Sequence, residues 1–205
     1  MRFPSPFRPF CYLCASMFNG DPTFIARLQQ GERESFHQLY EAFQDKIYNT
    51  LYGLVQDEDD ALDLSQEVFI EIYRSIAQFR GQSSLSTWIY RISVNKALNH
   101  LQSKKSRPWF RKKAALPDGS DHSLRIPDER NPDPVTALQN KELKEILRSA
   151  IASLPERQRV AFVLHKLEDL PYKEIAQVMK ISLSSVESLI HRAKENLQKA
   201  ILDRQ

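Results

Sequence analysis

LPYKEIAQVMKISLSSVESLIHRA, residues 170–193, is the stretch whose reading decides the fold. It reads as a short amphipathic helix, a tight turn and a second helix, the arrangement that lays its second helix in the DNA major groove. Small Ala176 beside Ile175 suits close helix packing, and Ser182 suits the N-cap of the second helix. Val186, Leu189, Ile190, Ala193 and Leu197 then recur at helical spacing and face inward. Ser184, Ser185, Glu187, Ser188, His191 and Arg192 are left outward. Serine hydroxyls bond to base edges or to phosphate, and Glu187 can accept from cytosine N4. Arg192 and Lys194 suit phosphate contacts, which position without specifying, and the N-terminal amides add further donors. A helical hairpin that merely packs is the competing reading.

Working outward, the chain reads as helical from residue 21. Asp21 suits an N-cap, Pro22 the first helical position and Gly31 the C-terminal stop. Phe36, Leu39, Tyr40, Phe43, Ile47, Leu51, Leu54 and Val55 step by three and four, predicting a helix that ends near Gln56. Residues 57–71 carry Asp57, Glu58, Asp59, Asp60, Asp63, Glu67 and Glu71 with no Lys or Arg. Such a cluster suits the positive end of a third helix, with a core stripe of Ala61, Leu64, Val68, Phe69, Ile72, Tyr73 and Ile76. Its outward row is Asp63, Gln66, Glu67, Ile70, Glu71 and Arg74, which is either a docking surface for a basic partner or a solvated acidic face.

A fourth helix is expected from about Ser86 to Ser103, after the polar break Arg80-Gly81-Gln82-Ser83-Ser84. Ile89, Ile92, Val94, Ala97, Leu98 and Leu101 form its buried side. Trp88, Arg91, Asn95, Asn99 and Gln102 fall together on the other. An aromatic ring beside a guanidinium and two amides can stack on an exposed base, hold a phosphate and bond to base edges. The alternative is that Trp88 caps the core and the amides are hydrated. Residues 104–135 hold Pro108, Pro117, Pro127, Pro132 and Pro134 with no sustained periodicity, and open on the basic run 104–113. They read as a linker. The fold expected is all-α: two small helical domains, 21–103 and 136–205, on a flexible tether, the second containing the helix-turn-helix.

Composition sets the limits. The chain has 205 residues, 41% hydrophobic and 27% charged, with a net charge of +3, which permits nucleic-acid binding without demanding it. No apolar run approaches the roughly 18 residues of a membrane span, so no membrane insertion is expected. Residues 1–20, rich in Pro, Phe and Arg, read as an unstructured extension; Met17 is a second candidate start. Pro4, Pro6, Arg8 and Pro9 break any signal-peptide core, which points to an intracellular, cytoplasmic protein. Cys11 and Cys14 form the one C-x-x-C pair, short of the four ligands of a structural zinc site. His37, His100, His122, His165 and His191 are scattered without metal spacing, and no nucleophile–base pair or glycine-rich phosphate loop occurs. No metal, cofactor, small-molecule substrate or enzymatic activity is expected.

Three motifs in order resemble bacterial RNA polymerase sigma factors. They are Asp63-Leu64-Ser65-Gln66-Glu67-Val68-Phe69; Phe79-Arg80-Gly81 through Thr87-Trp88-Ile89-Tyr90-Arg91-Ile92-Ser93-Val94-Asn95; and Leu154-Pro155 with the helix from Val186 to Ala193. The compact two-domain form is similar to the extracytoplasmic-function group. The resemblance implies that the third helix docks on core RNA polymerase through Asp63, Gln66, Glu67, Ile70 and Glu71. It implies that Arg80, Gly81, Ser83, Ser84, Thr87, Trp88, Arg91, Asn95 and Asn99 recognise and open the −10 element of promoter DNA. Ser184, Ser185, Glu187, Ser188, His191, Arg192 and Lys194 would read the −35 element, although the family often has basic residues where Glu187 and Leu189 stand. The basic linker would thread toward the polymerase active-site channel, and an anti-sigma factor would hold the protein inactive until stress or envelope signals release it. The competing functions are a stand-alone helix-turn-helix regulator with an N-terminal dimerisation or sensor domain, and a pure protein-interaction module.

Overall fold

The computed structural model describes residues 21–106 and 145–203, and every described element is helical. Helix α1 (Pro22–Gln29) starts where Asp21 accepts the Thr23 amide at 2.9 Å, with Pro22 in the first turn. Gly31, at φ +76°, lets the chain reverse into α2 (Arg33–Val55). Helix α3 (Glu58–Ser75) begins where the Asp57 carboxylate accepts the Asp60 amide at 3.0 Å. Glu58, Asp59 and Asp60 fill its first turn and Arg74 its last, both matched to the macrodipole. A 3-10 turn (Ile76–Gln78) leads to the loop before α4 (Leu85–Ser106).

In the second unit, α5 (145–153) is followed by α6 (Glu156–Lys166), α7 (Tyr172–Met179) and α8 (Leu183–Leu202). The sequence thus located α1 to α4 and the helix-turn-helix, with α4 running three residues further than expected. Residues 1–20 and 107–144, which carry Cys11, Cys14 and most of the expected linker, lie outside the described residues.

The N-terminal core forms where Leu39, Phe43, Ile47 and Leu51 of α2 meet Ala61, Leu64, Val68 and Ile72 of α3 and Leu85 and Ile89 of α4. The C-terminal core joins Val160 and Leu164 of α6 to Ile175 and Val178 of α7 and Val186 and Ile190 of α8. Full burial of such a side chain contributes about 1.5–3 kcal/mol, so these stripes hold the helices together far more than propensity does.

Two expectations need correction. Tyr73, placed in the core stripe, is 58% exposed, and Tyr40, placed inward on α2, is 40% exposed. Tyr73 lies one residue, about 100° of turn, from the core-facing Ile72, so only its edge meets Phe36, at 5.2 Å between centroids. Tyr40 lies tilted over Phe69 at the rim of the core. Further, the two units pack against each other into one continuous apolar cluster. Gly53 of α2 makes this possible: a Cβ there would stand 3.1 Å from side-chain carbons of Val163 and Leu167.

Candidate nucleic-acid interface

On α3, Leu62, Gln66, Ile70 and Tyr73 are spaced four, four and three residues apart, which stacks them into one exposed stripe. Asp63 and Glu67 flank it and are exposed, whereas Glu71 is partly buried. Three large apolar side chains rimmed by carboxylates are unlike a simple solvated face. Glu67 is already tied back to α4, accepting from the Lys96 ammonium at 3.1 Å. At the other end of the two helices, Asp60 takes Lys104 and sits 3.1 Å from His100 Nε2. Burial alone would raise the Asp60 carboxyl, but bonds from Lys104 and His100 outweigh it and hold the group below its ordinary range.

The loop into α4 is fixed at both ends. Gln29 of α1 donates its amide to the Phe79 carbonyl at 2.9 Å and to the Ile76 carbonyl at 3.4 Å. Gly81 turns at φ +67°, a conformation that favours glycine. Ser84 accepts the Thr87 amide at 3.1 Å and so caps α4, a role in keeping with its hydroxyl at a helix start. Arg80 and Gly81 are exposed, and Ser83 and Ser84 are partly buried. Trp88 is half-buried with its ring 5.3 Å from that of Phe79, and Asn95 and Asn99 are open to solvent about two and three turns further on. Thr87 and Arg91 differ from these. Thr87 is fully buried and donates to Glu174 Oε2 of α7 at 3.0 Å, while Arg91 Nη2 donates to the Gln177 carbonyl at 3.1 Å.

In the second unit, Lys180 at φ +54° makes the sharp turn, and the Ile181 amide reaches back to the Ala176 carbonyl at 3.1 Å. Ser182 accepts the Ser185 amide at 3.2 Å and caps α8. Ser184, Ser185, Glu187, Ser188, His191, Arg192 and Lys194 are all exposed along one side of α8. The Ser188 hydroxyl donates to the Ser184 carbonyl at 2.9 Å, so its proton is engaged while its lone pairs stay open. A shallow groove runs from Ser184, Ser188 and Arg192 to Arg157 at the start of α6. It can seat a phosphate backbone between two guanidinium groups.

Residues 39–107 match the family described as Sigma-70 region 2, and residues 144–197 that described as Sigma-70, region 4. The chain is 36% identical over 185 residues to the RNA polymerase sigma-H factor of Pseudomonas aeruginosa, covering 88% of this chain and 93% of that protein. The chain belongs to the extracytoplasmic-function group of the sigma-70 family. The ECF RNA polymerase sigma-E factor of Haemophilus influenzae is 34% identical over 181 residues, covering 88% of this chain and 95% of the relative. Two solved structures share the fold of this sigma factor. CnrH in complex with the cytosolic domain of CnrY matches at TM-score 0.64 and 20% identity, over 89% of this chain and 97% of that one. The sigma factor RpoE in complex with the anti-sigma factor NepR from Bartonella quintana matches at 0.59 and 18%, over 82% and 97%.

Among the described residues of this sigma factor, no group of three or more His, Cys, Asp or Glu side chains could hold a metal, and no helix is long and apolar enough to cross a membrane. Two candidate features escaped the sequence reading. Leu62 and Tyr73 join Ile70 in the α3 stripe; the signal available was a surplus of apolar residues in α3 over what one buried stripe can use. Arg157 joins the α8 groove; its signal was only that it opens a helix just before the helix-turn-helix.

Proposed function

We propose that this sigma factor divides its work among three surfaces. The α3 stripe of Leu62, Gln66, Ile70 and Tyr73, rimmed by Asp63 and Glu67, docks on core RNA polymerase. Its apolar centre supplies the area and its carboxylates set orientation against a basic partner. The loop from Arg80 to Ser84 and the open side of α4 recognise the −10 element and hold its separated strand. Trp88 is the stacking platform there, Arg91 the phosphate or base partner, and Asn95 and Asn99 the amide readers. The exposed side of α8, with Arg157 across the groove, sits in the major groove of the −35 element.

The observation that carries this reading is the pairing of the two matched regions with two unlike surfaces on one chain: a polar recognition helix, and an aromatic–amide face beside an acidic, apolar docking stripe. Unstacking bases costs a few kcal/mol each, so strand opening requires the large partner that α3 would recruit. In this reading the polymerase makes the RNA and the sigma factor directs it to the promoter. Control by an anti-sigma protein is part of the reading, supported by the partner in the RpoE–NepR structure, and the protein works in the cytoplasm where its polymerase is.

Run-off transcription with purified core polymerase on a genomic promoter library tests the proposal, with permanganate footprinting of the promoters it selects. Core-dependent transcripts and reactive thymines are expected. Duplex binding without core, and no opening with it, would instead identify a stand-alone regulator.

A further inference from the structure

Helix α8 presents an acid to a polyanion. Glu187 is exposed in the second turn of the helix and shares a shallow groove with Ser188, His191 and Arg192. Among the described residues it has no hydrogen-bond donor and no ion-pair partner. His191, one turn on, leans the other way, with Nδ1 3.6 Å from the Glu195 carboxylate. The Ser184 hydroxyl, one turn back, is bonded to that of Ser182 at 3.1 Å. The cations stand elsewhere. Arg192 and Arg157 line the groove toward α6, and Lys194 lies about two turns beyond Glu187. Over residues 184–195, Glu187 and Glu195 offset Arg192 and Lys194, so this face draws phosphates only weakly. Glu187 and Arg192 are five residues apart, about 140° round the helix. When Arg192 and Arg157 hold one strand, Glu187 is turned away from its phosphates and toward the base edges across the groove.

A carboxylate only accepts hydrogen bonds. In the major groove the amines of cytosine N4 and adenine N6 donate, whereas guanine N7 and O6 and thymine O4 accept. Glu187 is therefore received by an amino base and repelled by a keto base. The two amines are not equivalent. Adenine N6 stands beside the N7 acceptor, which faces the second carboxylate oxygen. Cytosine N4 stands beside a C5–H, which does not repel it. Cytosine is the better fit. Against a wrong base the carboxylate loses its water and gains no donor, and that cost widens the gap between right and wrong sites.

We infer that Glu187 fixes one base of the −35 element as cytosine, and that it does so mainly by rejecting guanine and thymine rather than by adding affinity. This role rests on the reading of α8 as the −35 helix and deepens it. Arg157 and Arg192 supply the phosphate contacts, and Glu187 decides which sequence they settle on. A basic residue at this place favours guanine. The −35 element of this sigma factor therefore differs at one base from those of family members that carry a basic residue there.

The test uses holoenzyme, the full chain with core polymerase, on a promoter library randomised across the −35 region and read by sequencing the templates transcribed. The wild type is expected to enrich cytosine at one position about tenfold over guanine or thymine. Glu187→Gln is expected to move that position alone to adenine, whose N6 and N7 an amide matches in both directions, and Glu187→Arg to guanine. Glu187→Ala is expected to relax the position by admitting the rejected bases, with the rest of the element unchanged. The site is exposed, and Glu, Gln and Arg have similar helix propensities, so these variants keep the fold. Upstream preferences identical in all four proteins would overturn the role of Glu187 and leave α8 the −35 helix. So would a switched position that holds any base but cytosine in the wild type. A library with no upstream preference for any of the proteins would remove α8 from the −35 element, and the inference with it.

Discussion

Arg159→Ala is the substitution through which the packing between the units can be measured. One guanidinium serves three carbonyls: Leu54 at 2.8 Å, Ala152 at 2.7 Å and Leu154 at 3.1 Å. Leu54 lies in the last turn of α2 and Ala152 in that of α5, so the negative ends of two helices converge on one cation. Truncation leaves the Leu54 and Leu154 carbonyls, both on buried residues, without this donor, at about 1–3 kcal/mol each. Ala152 is exposed, and water replaces its bond. Burial also lowers the Arg159 pKa, a sign that holding the charge there costs part of what the bonds return. The low half of the range is therefore appropriate, about 2–4 kcal/mol in all. For a chain of this size that corresponds to a fall in Tm of about 4–16 °C. Differential scanning calorimetry checks it, with Arg159→Met retaining the aliphatic stem to separate packing from hydrogen bonding. An Arg159→Ala protein within about 0.5 kcal/mol of wild type would show that these carbonyls are satisfied otherwise and that the convergence of helix ends contributes nothing.

Other expectations follow from single features. Asp63→Arg with Glu67→Arg weakens core-polymerase binding by at least tenfold at low salt, measured by competition with a labelled sigma factor; undiminished affinity removes α3 from the docking role. Trp88→Ala leaves core binding intact and lowers promoter opening, read by permanganate reactivity, because stacking on an aromatic ring is worth about 1–3 kcal/mol per base. Lys180→Gly relieves a left-handed backbone at φ +54° and raises the denaturation midpoint slightly, by the equivalent of up to about 1 kcal/mol, checked by urea titration. The Glu168 contact depends on pH in a definite direction. Burial raises the Glu168 carboxyl above the ordinary glutamate range, Tyr90, Thr50 and the charge of Lys46 oppose this, and Asp169 reinforces it. Unfolding returns the group to its ordinary pKa, so the folded form binds the extra proton. Its contribution to stability is greatest below the ordinary range and is lost as pH rises through the raised value. Urea titration across that window measures it, and Glu168→Gln flattens the dependence.

How much of this was legible in the sequence follows from how local each cause is. Helices whose stripes repeat every three or four residues, such as Leu39–Phe43–Ile47–Leu51, announce themselves because the partner surface only has to be apolar. Caps at Asp21, Asp57 and Ser182 are equally local, and the helix-turn-helix is a sum of such signals. Thr87, Tyr90 and Ser93 were a different matter. Each is polar or amphipathic, and two of them are buried against groups about 80 residues away, Glu174 and Glu168. No periodicity encodes that. Nothing in the sequence singles out Arg159, since only the folded chain brings the ends of α2 and α5 to it. The surplus of apolar residues on α3 was visible, but Tyr73 adjoins the core-facing Ile72, and which of two neighbouring apolar residues the partner helix covers is not given by spacing alone.

The Gln29 side chain, which straps down the carbonyls of Ile76 and Phe79, has a practical consequence for dissecting the molecule. A fragment begun at Asp21 keeps this brace under the bend that presents Arg80. One begun at Arg33 discards it, and the bend would be left hanging from Phe79 alone. Trimmed versions of the front half should therefore differ sharply in how well they grip single strands, according to a helix outside the proposed strand-reading surface.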